Sequence, residues 1–116
     1  MSTGILAPVT ITTEIEGVLT TSLVSKVALP YGGKITGAMA VVSTSPTGSA
    51  LNFTLVNGAH NVGAFSIPAG GEVDEATLNP LYVEFDKGDI IAVTIEQIGS
   101  SYAGKDLTVA FTVTEA

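Results

Sequence analysis

Residues 107–114 read Leu107-Thr108-Val109-Ala110-Phe111-Thr112-Val113-Thr114, with every second side chain large and apolar. Successive side chains of a β-strand point to opposite faces, so this stretch sends Leu107, Val109, Phe111 and Val113 inward. Thr108, Ala110, Thr112 and Thr114 face out. A helix would scatter the same four apolar residues around its circumference. The period of two recurs toward the N-terminus. It is clear in Ile91, Val93 and Ile95; in Leu81, Val83 and Phe85; in Leu51, Phe53 and Leu55; and in Val9, Ile11 and Ile15. Less regular strands are read from Val18 to Leu29, Ile35 to Ser43 and Val62 to Ile67, giving about eight in all. Thr dominates the polar positions, and its branched Cβ suits a pleated surface.

Turn chemistry falls between these segments. Asn57-Gly58 is a two-residue hairpin signal, here read as a type I′ turn. Ser45-Pro46-Thr47-Gly48 fits a type I turn, and Asp86-Lys87-Gly88-Asp89 another tight turn. Gly32-Gly33 and Gly70-Gly71 sit in longer connections; neither has the ending of a phosphate loop. Glu72 to Leu78 is read as one or two helical turns, stopped by Asn79-Pro80. About eight antiparallel strands imply an all-β sandwich. A jelly roll is the first choice and an immunoglobulin-like sandwich the second. Length supports a single domain over residues 1–116; because Ile5-Leu6-Ala7-Pro8 is apolar and uncharged, residues 1–8 either add to the first strand or form an N-terminal arm that packs on a neighbouring chain.

Composition narrows function. Eleven acids against four basic residues give a net charge of −7, which disfavours tracking along a nucleic-acid backbone. No apolar run approaches the ~18 residues of a membrane helix. Met1-Ser2-Thr3-Gly4 has no basic start, so no secretion signal is read. There is no Cys, hence no disulfide framework.

Candidate chemistry is thin. His60, the single histidine, follows a hairpin turn and reads as a solvent-side loop residue. The acids gather as Glu72, Asp74, Glu75 and as Glu84, Asp86, Asp89. Both lack the EF-hand spacing, so no metal is expected. Glu84 and Glu96 are the nearest approach to a glycosidase pair, but both fall on outward strand positions. No catalytic residue and no cofactor are expected, and the chain is read as a non-enzyme. Asn52-Phe53-Thr54 matches the N-glycosylation pattern within a strand. Tyr31, Tyr82 and Tyr102, with Ile5 and Leu6, are candidate interface residues, since Tyr is enriched in interfaces.

The order of loop motifs resembles a module of tailed-bacteriophage structural proteins. The motifs run Lys34-Ile35-Thr36-Gly37, Ser45-Pro46-Thr47-Gly48, Asn57-Gly58, Ile67-Pro68-Ala69-Gly70, Lys87-Gly88-Asp89, Gln97-Ile98-Gly99-Ser100 and Gly104-Lys105-Asp106-Leu107. They span about residues 31–113. Members of that family often carry Asp in the strand after the Pro-Thr-Gly turn. Here that strand reads Leu51-Asn52-Phe53-Thr54, so no polar role is carried over. The resemblance implies a jelly-roll-like sandwich on the virion. Its first functional expectation is a capsid decoration, or cement, protein, trimeric and bound to the major capsid protein on the capsid surface. The alternative is a tail or fibre structural protein, or a receptor- or carbohydrate-binding module.

Overall fold

A computed structural model describes residues 9–115. Among them are ten strands: β1 (Val9–Val18), β2 (Val24–Ala28), β3 (Gly33–Thr44), β4 (Leu51–Asn57), β5 (His60–Ile67), β6 (Val73–Glu75), β7 (Thr77–Leu78), β8 (Glu84–Phe85), β9 (Ile90–Gln97) and β10 (Lys105–Glu115). One sheet has the order β1-β10-β3-β6, with β8 also on β3; the other runs β2-β9-β4-β5-β7. All strand pairs are antiparallel. Taking β6 and β8 together as the sixth strand, and β7 as an added edge, gives the two interlocked Greek keys of a jelly roll.

The core follows the alternation. Leu107, Val109, Phe111 and Val113 are all buried and meet Leu51, Phe53, Leu55, Ile91, Val93 and Ile95 from the facing sheet. Phe53 stacks on its cross-strand partner Phe65, ring centroids 4.6 Å apart. One side of the sandwich is closed by the chain itself. β6 pairs with β3 of the first sheet, and β7, just beyond Ala76, pairs with β5 of the second. The opposite side is formed by edge strands β1 and β2, where the hydroxyls of Thr13 and Ser25 hydrogen-bond across the sheets.

Three expectations are corrected. Residues 72–78 form β6 and β7 instead of helical turns, because backbone pairing with β3 and β5 supplies the hydrogen bonds a lone helical turn would lack. The alternation at Leu81, Val83 and Phe85 holds only for the last two: Leu81 is 80% exposed, and the strand shrinks to Glu84–Phe85. In the β4–β5 hairpin Asn57 pairs with His60, so Gly58 and Ala59 are the central residues. Gly58 has φ 61°, while Ala59 is not left-handed, which is the pattern of a type II′ turn.

Candidate functional site

The outer face of the second sheet is the candidate site. Alternation in β4 points Asn52, Thr54 and Val56 away from the core. Thr54 lies between Thr94 of β9 and Ala64 of β5; Val56 lies beside Ala92; Asn52 lies beside Ser66. These are mostly small residues on the middle strands of the sheet. Thr54 is only 7% exposed and Ala92 only 9%, although no layer of the described residues covers this face. Flanking side chains on the same face shield both, so they lie at the floor of the cavities that open there.

The groove has two sections. One, of about 520 Å³, is walled by Ser66, Asp74, Glu75, Thr77 and Glu96. The other, of about 390 Å³, lies between Lys26, Ile90 and the Asn57-Gly58 and Gly88-Asp89 turns. Hydrogen bonds fix both. The Ser66 backbone N–H donates to Asp74 Oδ2 at 2.8 Å, and Ser66 Oγ donates to Asn52 Oδ1 at 2.7 Å. At the other end Asp89 Oδ2 accepts from the Asp86 N–H at 2.9 Å and from Asn57 Nδ2 at 3.0 Å, tying the two turns together. The Asp86 N–H, then the Asn57 amide, hold the Asp89 carboxyl below the usual carboxylate range.

The residues singled out from sequence are not gathered at one place. Ile5 and Leu6 lie outside the described residues. Tyr31, between β2 and β3, is half-buried against the core, its hydroxyl sealed from solvent and without a partner among the described residues. Tyr102 is at the opposite end of the sandwich, where its backbone bridges Thr47. Tyr82 lies in the β7–β8 loop, not on a strand, and stacks on His60 with centroids 4.4 Å apart. Glu84 pairs beside Lys34 in the first sheet, while Glu96 is on β9 of the second, so they do not face each other across a cleft. Among the described residues no three His, Cys, Asp or Glu side chains are grouped to hold a metal ion. Sequence reasoning missed Asn52, Thr54, Ser66 and Asp74 as a group. The outward alternation of β4 was a signal for Thr54, but its neighbours come from strands distant in sequence.

No protein-family profile matches this chain, and no curated protein does. Solved structures are similar to it. A carbohydrate-binding module CBM36 in complex with calcium and xylotriose superposes with a TM-score of 0.54 at 14% identity, covering 95% of this chain and 100% of that one. The fold they share is a jelly-roll sandwich. CsCBM6-3 from Clostridium stercorarium, in complex with cellobiose, gives 0.50 at 14% identity, covering 85% of this chain and 71% of that one. A β-1,3-glucan-binding CBM6 from Bacillus halodurans gives 0.50 at 15% identity, covering 98% and 90%. At such identities the likeness carries the fold alone.

Proposed function

We propose that this chain is a non-catalytic carbohydrate-binding module that holds a glycan in the groove of the second sheet. The observation that carries the reading is the sunken floor, Thr54 and Ala92, which makes a sheet face into an open trough. A trough open along its length suits a linear polymer. Its walls offer the hydroxyls of Ser66 and Thr77 and the carboxylate of Glu96, groups that hydrogen-bond sugar hydroxyls. The oligosaccharides bound by the similar modules support this class of ligand. The trough has no exposed aromatic ring on its floor, so affinity is expected to be modest, with Kd on the order of 0.1–1 mM. Titration calorimetry against neutral, amine-bearing and acidic oligosaccharides tests it. Ala64→Ile fills the groove with a residue suited to an exposed strand, and should abolish binding while leaving the melting temperature in place. Silence across the whole glycan panel would end this reading.

A second reading, a virion decoration protein, is favoured by one surface. Met39, Val41 and Val73, on adjacent strands β3 and β6, are 47%, 43% and 57% exposed on the outer face of the first sheet. With the loop motifs described above, that apolar patch fits a module that packs against other subunits, as a trimer on the major capsid protein would. High copy number in purified virions is its direct test.

A further inference from the structure

We infer that two copies of this chain join antiparallel through β1, making one continuous sheet across a two-fold axis at Thr13. Natural sheets keep exposed edges short or guard them with Lys, Pro or bulges. Among the described residues the other edge strands, β2, β6, β7 and β8, have five residues or fewer. β1 has ten, contains neither Pro nor Lys, and pairs only with β10. Its one irregularity, between Ile15 and Val18, lies at its end. Ile11 and Ile15 pack toward the core yet stay only partly buried on this side of the sandwich. The strand is also complementary to itself. In an antiparallel pair, residues directly opposite each other share a face. With the axis at Thr13, Ile11 lies opposite Ile15 of the second copy, Thr12 opposite Glu14, and Thr10 opposite Glu16. Apolar then meets apolar on the inner face, and each exposed Glu meets a hydroxyl on the outer one. An axis one residue earlier sets Ile11 against Thr13; an axis at Glu14 or Ile15 sets Glu against Glu. Pairing β1 with itself uses the free edge of both copies, so the contact closes at two. The axis stands perpendicular to the joined sheet, so both copies turn the same outer face to one side. On the glycan-binding reading, the dimer presents two troughs to one polymer surface.

Size exclusion with light scattering should give the mass of two chains, in a share that grows with salt because each copy carries −7. Thr12→Lys places an ammonium opposite Glu14 and should tighten the dimer several-fold. Adding Glu14→Lys sets like charges opposite each other. It should loosen the dimer at least about tenfold relative to Thr12→Lys alone, although the net charge moves closer to zero. Repulsion between whole molecules predicts the reverse order. Both positions are exposed, so each variant should keep its fold. The chain has no Cys, so Thr13→Cys offers one thiol per copy. Opposite residues have Cα atoms about 4.5–5.5 Å apart, within disulfide range, and oxidised glutathione should link the two copies. Thr10→Cys, whose opposite residue is Glu16, should stay unlinked. A mass of one chain at every concentration and salt would overturn the inference. So would a dimer that withstands Thr12→Lys with Glu14→Lys, or one lost in Val41→Thr with Val73→Thr, because the copies would then meet elsewhere. Either result leaves glycan binding, read by calorimetry, standing.

Discussion

Asp106 shows how one carboxylate holds a local distortion in this sandwich. Its φ is 53°, in the left-handed region that few residues besides Gly, Asn and Asp enter readily. Opposite it, Gly17 has φ 85°, at the point where the β1–β10 register shifts. The Gly17 N–H donates to Asp106 Oδ1 at 2.7 Å, and Ser43 Oγ donates to Oδ2 at 2.9 Å. These bonds favour the charged form, so Asp106 titrates below the ordinary carboxylate value of about 3.9, as Asp89 does. A depressed folded-state pKa contributes stability above the unfolded value, and that stability is lost as pH falls through the folded value. Melting temperature should therefore be flat above about pH 5 and fall below pH 4. Asp106→Asn tolerates the same backbone but cannot ionise, and should lose part of that acid dependence. An identical pH profile in the variant would refute the assignment. Tyr31 gives the opposite kind of prediction. Its sealed, unpartnered hydroxyl costs stability, so Tyr31→Phe should raise stability by about 1 kcal/mol, seen as a melting rise of several degrees.

Strand β10 carries the centre of the core, flanked by β1 and β3 and packed on the facing sheet. Phe111 is fully buried there, and Phe111→Ala should cost about 3–5 kcal/mol, a large share of the 5–15 kcal/mol that holds most domains. A urea midpoint left unchanged would show that the inward face of β10 is misassigned. This strand was legible because a long alternating run, half buried by one layer, writes its geometry into its own residues. β6 and β7 were not. Val73 and Ala76 stand three apart, as on a helix, and only the open edges of β3 and β5 draw the segment into two short strands. The alternation of Leu81, Val83 and Phe85 puts Tyr82 on the opposite strand face for the same local reason, yet the loop places it against His60. The groove was illegible for a different reason. Thr54 is outward by simple alternation, but its burial depends on β9 lying beside β4, a pairing between residues some forty apart in sequence.

Across the whole molecule, the two outer faces ask for different partners. The face of the second sheet is a polar trough; the face of the first carries Met39, Val41 and Val73 in one exposed patch, with Glu75 at its edge. Apolar side chains this close together on a strand surface are costly to leave in water, and burying each fully would gain about 1.5–3 kcal/mol. The net charge of −7 opposes self-association, so a copy-to-copy contact through this patch must overcome repulsion that salt would screen. Light scattering after size exclusion, repeated at low and high salt, decides the matter. If the patch joins copies, the mass exceeds one chain, grows with salt, and returns to one chain in Val41→Thr with Val73→Thr, substitutions that keep β propensity and spare the core. A mass of one chain at every salt concentration would remove self-assembly through this face. Glycan binding measured on that same monomeric protein would then stand without any contribution from avidity.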